Sequence, residues 1–273
     1  MDGRELSAAL RGGRRVYGTL IVSTSPRWVS FVEGLGLDYV FIDTEHIPID
    51  RQTLSWMCQA YRGIGAAPIV RIPSPDPYQA CMVLDGGAAG VIAPYVESLE
   101  QVQALRGAVK LRPLKGRRLQ RILAGREQPE PELARYLAER NAESVLIVNI
   151  ESRPAMDALD EILAVDALDA VLIGPHDLSL NLGVPEQYSC QTFERAVEKI
   201  LTTARAAGVG AGIHVIHPDG LDQEIRWGRM GANLILHGAD VLAFRAAMQA
   251  DLARLKAALG EGEAGESGAD IDI

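Results

Sequence analysis

Lysine is scarce in this chain of 273 residues, where Arg outnumbers Lys 23 to 4. Chemistry through a lysine imine has only Lys110, Lys115, Lys199 and Lys256 to draw on, and none falls at a confident strand end. Cysteine is scarce as well. Cys58, Cys81 and Cys190 are odd in number, far apart and without metal-ligand spacing, which reads as buried thiols in a reducing cytoplasm. Basic charge is in deficit: 27 Lys plus Arg stand against 36 Asp plus Glu, a net −9, whereas a nucleic-acid partner needs a basic face. No apolar run approaches the ~18 residues of a membrane span. The opening Met-Asp-Gly-Arg-Glu lacks the basic-then-apolar layout of a signal peptide. The expectation is a cytoplasmic protein with no nucleic-acid partner and no membrane partner.

A complete glycine-rich nucleotide turn is also missing. Gly208-Val209-Gly210-Ala211-Gly212 lacks the full spacing and enters a strand instead of leaving one, which counts against a doubly wound open sheet. What is present is alternation. Apolar runs predict strands at Val16–Val22, Asp38–Asp43, Pro68–Ile72, Gly90–Tyr95, Val145–Ile150, Ala170–Ile173, Val209–His214 and Asn233–Leu236. Runs such as VLIVNI and AVLIG suit strands buried on both faces. Between them lie amphipathic stretches. Phe193, Ala196, Val197, Ile200, Leu201 and Ala204 share one helical face, and the stretch ends at Gly208. Another begins at Ser152 as N-cap and runs through Met156, Leu159 and Leu163. Eight such strands predict a (β/α)8 TIM barrel in the α/β class, at about 32 residues per unit. The Arg-, Pro- and Glu-rich stretch Leu111–Ala142 reads as an excursion after the fourth strand, with helix at about Pro131–Asn141. One domain over residues 1–258 is expected, followed by an acidic, disordered tail over 259–273 that carries five of the acidic residues.

In a barrel of this kind function sits where strands end. Four predicted strand ends are polar: Asp43-Thr44-Glu45-His46, Arg71-Ile72, Asn149-Ile150-Glu151 and Gly174-Pro175-His176-Asp177. Glu151 and Asp177 are 26 residues apart, about one βα unit, so their carboxylates come from adjacent strands and can converge. Two hard oxygen ligands with open positions suit Mg²⁺, Mn²⁺ or Co²⁺, which polarises a chelating 2-keto acid and stabilises its enolate. The bland alternative is that either carboxylate caps a following helix, as Asp177 would before Leu178-Ser179. His46 titrates where a side chain can take and return a proton. Arg71 offers a planar, permanently charged donor to a keto oxygen. His214, His217 and His237 read as structural histidines.

These residues resemble the HpcH/HpaI aldolase family, the class II pyruvate aldolases related to citrate lyase β-subunits. The matching stretches run from Asp38 to His46, Pro68 to Arg71, Leu84 to Ala88, Val148 to Arg153 and Ile173 to Ser179, in family order. The resemblance implies a divalent metal on Glu151 and Asp177, and His46 as base through a metal-linked water. It further implies Asp85 paired with His46, and Arg71 on the pyruvate enolate. The substrate is placed on Arg71, Asn149, Gly174, His176 and Asp177, with backbone amides of the last two taking its carboxylate. It also implies a hexamer, a trimer of dimers with exchanged terminal helices. The sequence departs from the family at Asn149, where Gln is usual, and at His176, where a small residue is usual. It departs again at Gly18-Thr19-Leu20, which lacks a tryptophan, and at Lys115-Gly116-Arg117-Arg118.

The expected activity is a metal-dependent aldehyde-lyase that makes or cleaves a 4-hydroxy-2-oxo acid, with pyruvate and an aldehyde as partners. A second reading spends the same enolate on oxaloacetate decarboxylation or another carbon–carbon bond, as in macrophomate-synthase-like relatives. A third, a non-catalytic barrel subunit, is opposed by His46, Arg71, Glu151 and Asp177 standing together.

Overall fold

In the computed structural model, which describes residues 1–217 and 220–261, eight strands close into a parallel barrel in chain order. They are β1 (Val16–Leu20), β2 (Tyr39–Asp43), β3 (Ala67–Arg71), β4 (Gly90–Ala93), β5 (Val145–Asn149), β6 (Ala170–Ile173), β7 (Gly210–Val215) and β8 (Leu234–Ala239). The pairing Val16 with Leu234 and Gly18 with Leu236 closes the ring. Around it run α1 (Gly3–Gly12), α2 (Val29–Val32), α3 (Arg51–Gly63), α4 (Pro77–Asp85), α5 (Leu99–Lys110), α6 (Gly116–Leu123) and α7 (Pro131–Arg140). The second half carries α8 (Arg153–Asp157), α9 (Leu159–Leu163), α10 (Pro175–Asn181), α11 (Gln191–Ala206), α12 (Gly220–Met230) and α13 (Asp240–Leu259). The expected single-domain (β/α)8 barrel is what forms. Of the acidic tail, residues 262–273 lie outside the described residues.

Period-two alternation explains why continuous apolar runs were needed. Tyr39, Phe41, Ile69, Ile147 and Leu172 fill the barrel interior, while Val40, Ile42, Val70, Val148 and Val171 pack outward against the helices. Continuing the inward series by one step brings Asp43, Arg71 and Asn149 to the C-terminal mouth. These three strands are apolar to that depth and polar at the last inward position.

The other end is sealed. Leu6 and Leu10 of α1 join the interior cluster. Asp169, fully buried just before β6, accepts bonds from Ser7 Oγ at 2.6 Å, Arg11 Nε at 3.2 Å, Lys110 Nζ at 2.5 Å and Leu146 N at 2.8 Å. Lys110 is thus tied at the end of the barrel away from the polar mouth. The other lysines sit before α6 or within α11 and α13, so none reaches a strand end.

Three local expectations are refined. The fourth strand stops at Ala93 instead of Tyr95, because Pro94 has no N–H for the ladder and Tyr95 turns to φ 47°. The helix capped by Ser152, whose Oγ accepts Ala155 N, bends at Ala158 into α8 and α9. The excursion holds a second helix, α6, which buries none of its residues. Its half-buried Leu119 and Leu123 lie against α5 at Gly107, while Arg118 and Arg121 pair with Glu127, and Arg118 with Glu130, in the segment that follows. Among the thiols only Cys58 is buried; Cys81 and Cys190 are half-buried, and all three are free.

Candidate active site

The mouth has an acidic side and a basic centre. Glu151 is 2% exposed, two residues past the inward-facing Asn149. Its Oε1 accepts the backbone N–H of Tyr95 at 2.7 Å and its Oε2 accepts Asn149 Nδ2 at 2.9 Å. Burial pushes its pKa up to about 7, with the neighbouring Asp177 charge adding to the rise against those hydrogen bonds. Asp177 sits in the first turn of α10, and its Oδ1 accepts the Tyr95 hydroxyl at 2.6 Å. It does not cap the helix; the N-cap is Gly174, which offers no side chain. Gly174 meets a requirement of close approach. A Cβ there would lie 2.1 Å from Glu151 Oε2, although its backbone, at φ −84°, is open to any residue.

Arg71 occupies the centre. Asp43 takes its Nε at 2.8 Å and its Nη2 at 2.5 Å, a two-point clamp that leaves Nη1 without an acceptor among the described residues. Glu45 Oε2 approaches Arg71 Nε to 3.2 Å, and the guanidinium lies 5.4 Å from the Phe41 ring centre. Burial pushes the Asp43 carboxyl up, but the Arg71 bond and charge outweigh it and the net pKa is lowered. Burial also raises Glu45, against the charges of Arg71 and His46. His46 is half-exposed on the loop after β2, its Nε2 3.7 Å from Glu45 Oε2, too far for a hydrogen bond. His214 packs edge-on to Phe41, and its Nε2 lies 3.2 Å from Gly238 O. Burial lowers its pKa to about 4, which keeps it neutral, as expected of a structural histidine. His176 is exposed at the rim, 3.6 Å from Glu186.

Four of the polar strand ends therefore share one mouth. Asp85 does not join them within this chain. It ends α4 close to the start of β4, exposed to solvent and paired with Arg112 at 3.0 Å. Tyr95, Asp43 and Glu45, to which the sequence assigns no role, make direct contacts with Glu151, Asp177 and Arg71. Asp43 and Glu45 were legible as neighbours of His46; Tyr95 carried no motif.

The donor chemistry of Glu151 and Asp177 fits a hard divalent cation. Both are carboxylates, and the cost of burying Glu151 beside a second negative charge is one that a cation relieves. Asn149 Oδ1 is buried there without a hydrogen-bond partner. Among the described residues no three His, Cys, Asp or Glu side chains form a metal cage, so water and substrate oxygens would complete the shell.

Comparison with known proteins places the chain among aldolases. The family model described as HpcH/HpaI aldolase/citrate lyase matches residues 17–246. A 2-keto-3-deoxy-L-rhamnonate aldolase from Klebsiella pneumoniae is 32% identical over 90% of this chain and 91% of its own. A hydroxypyruvate/pyruvate aldolase from Roseovarius nubinhibens is 32% identical over 90% and 95%. The crystal structure of an HpcH/HpaI aldolase from Desulfitobacterium hafniense superposes with a TM-score of 0.78 at 28% identity, covering 92% of this chain and 96% of that one. On the family match over residues 17–246 and on these relatives, the chain belongs to the HpcH/HpaI aldolase/citrate lyase family of carbon–carbon lyases.

Proposed function

We propose that this chain is a divalent-metal-dependent class II aldolase that forms the enolate of pyruvate and makes or cleaves a 4-hydroxy-2-oxo acid with an aldehyde. One observation carries the reading: the buried Glu151 carboxylate beside Asp177 faces, within electrostatic reach, an Arg71 guanidinium clamped by Asp43. Glu151 and Asp177 would hold Mg²⁺, Mn²⁺ or Co²⁺, which when bound supplies Lewis-acid stabilisation of negative charge on the keto-acid oxygens. Arg71 donates from Nη1 to the keto oxygen as charge builds there, and the Asp43 clamp removes the need to reorganise. His46 takes a proton from the methyl carbon of pyruvate in the addition direction, or from the 4-hydroxyl in cleavage. The substrate carboxylate meets the N–H groups of His176 and Asp177, which lie in the first turn of α10 and lack intrahelical acceptors. Asn149 and Gly174 bound the same floor through their contacts with Glu151.

The assembly we propose is a homo-oligomer, a hexamer built as a trimer of dimers with exchanged terminal helices. Two surfaces support it. Helix α13 buries none of its 20 residues and exposes Phe244, Met248, Leu252, Leu255 and Leu259 along one stripe. Beside it lies an apolar groove of about 1140 Å³, lined by Ile21, Trp28, Phe31, Leu35, Leu221 and Ile225 among others. A bare stripe and a bare groove of matching chemistry are what exchange of a terminal helix leaves on each chain.

The reading is tested by incubating the protein with pyruvate and Mg²⁺ or Mn²⁺ in D₂O and following the methyl signal by NMR. Metal-dependent exchange that is lost in His46→Ala is expected. No exchange with any divalent metal would overturn the proposal. An aldehyde panel run beside oxaloacetate then separates aldol chemistry from decarboxylation.

A further inference from the structure

Tyr95 touches both carboxylates of the acidic side, and no other described residue does so by hydrogen bonding from one position. The chain reaches it by an unusual route. Strand β4 ends at Ala93, Pro94 breaks the ladder, and Tyr95 takes a left-handed conformation at φ 47° that a bulky aromatic side chain rarely adopts. That turn aims its backbone N–H at Glu151 Oε1, 2.7 Å away. The side chain then reaches the first turn of α10, where its hydroxyl donates to Asp177 Oδ1 at 2.6 Å. Glu151 is otherwise fixed by Asn149 at its second oxygen. Among the described residues the Tyr95 hydroxyl is the side-chain donor to Asp177, and Oδ2 has none.

We propose that Tyr95 is a positioning residue of the cation site, its N–H and its hydroxyl holding the Glu151 and Asp177 carboxylates in the mutual orientation that a divalent ion requires. The inference rests on the metal reading above. Two neighbouring like charges repel one another, and a donor to each holds them together; Asp177 offers Oδ2 to the ion, and each Glu151 oxygen, already accepting one bond, keeps a second lone pair for it. The hydroxyl sits behind Asp177 as an orienting group and transfers no proton in the reaction.

The opposite arrangement is that the hydroxyl competes with the ion for Asp177. The two predict opposite signs. Mn²⁺ is titrated into the full-length wild type and Tyr95→Phe, with free Mn²⁺ read by its electron paramagnetic resonance signal, and the metal-free melting temperature is recorded for each. Phe keeps the ring and the backbone N–H. The expected result is a Kd about tenfold weaker in the variant, with the metal-free melting temperature unchanged and the Mn²⁺-induced rise reduced. An unchanged Kd, with or without a lower melting temperature, marks a merely structural side chain and overturns the assignment; a tighter Kd shows competition and overturns it too. Wild type that binds no Mn²⁺ would bring down the metal reading and this one with it, whereas wild-type binding with an unaffected variant removes the Tyr95 role alone.

Discussion

Replacing Gly174 by Ala adds one methyl group at the most crowded point of the site. The new Cβ would stand 2.1 Å from Glu151 Oε2, 3.2 Å from its Cδ and 3.3 Å from its Cβ. The backbone there, φ −84° and ψ 101°, accepts alanine, so the penalty is contact and not dihedral strain. Glu151 cannot swing aside freely, being 2% exposed and held at both oxygens. Ordinary contact requires the carboxylate to retreat by about 1 Å, a displacement that near reacting groups costs about 10²-fold in rate. The retreat also strains at least one bond to a charged group, worth about 1.5–3 kcal/mol each. We expect Gly174→Ala to lose about 2 kcal/mol in urea unfolding, to bind Mn²⁺ more weakly, and to slow metal-dependent pyruvate exchange about 100-fold. A variant that folds, binds Mn²⁺ and exchanges deuterium like wild type would refute the reasoning, because Glu151 would then have no need of its present place.

Three more tests address separate parts of the site and the assembly. Arg71→Lys keeps the charge but cannot reproduce the two-point bond to Asp43, so pyruvate exchange should fall by about 10²-fold in a folded protein; a rate within a factor of about three of wild type would mean that the clamp is incidental. In the metal-free chain Glu151, pushed up to about 7, holds its proton more tightly folded than unfolded. Its stability contribution is therefore fully present below about pH 4.5, falls by about 3 kcal/mol as pH rises to about 7, and then levels. Glu151→Gln should flatten that part of a melting-temperature profile, and an unaltered slope would refute the assignment. Leu252→Asp with Leu255→Asp, both exposed on α13, should leave helix content intact and lower the mass seen by light scattering, whereas an unchanged mass would show that this stripe joins no subunits.

Strand positions were legible because each barrel strand must be apolar on two faces at once, which leaves an unmistakable run. VLIVN at β5 and AVLI at β6 are of this kind. Site residues were legible for a related reason: a polar residue terminating such a run has few places to be except the mouth, and Asp43, Arg71, Asn149 and Glu151 all follow that logic. Helix α6 was hard to read because its apolar signal is the short set Leu119, Ile122 and Leu123, half-buried and interleaved with arginines. Asp85 shows the limit of a motif. Its sequence context matches, but it closes a helix that runs back toward the start of β4, and one chain alone gives it Arg112 as partner. Tyr95 was hidden differently. An aromatic at the end of GVIAPY reads as one more strand residue, and only the proline before it hints that the ladder has ended. Once pairing stops, that residue's N–H and side chain are released together, and a single position can serve two carboxylates, one after β5 and one in the first turn of α10. A proline placed one residue before a polar aromatic at the mouth of a parallel barrel is thus a signal worth reading, because it converts the last rung of a ladder into a free pair of donors.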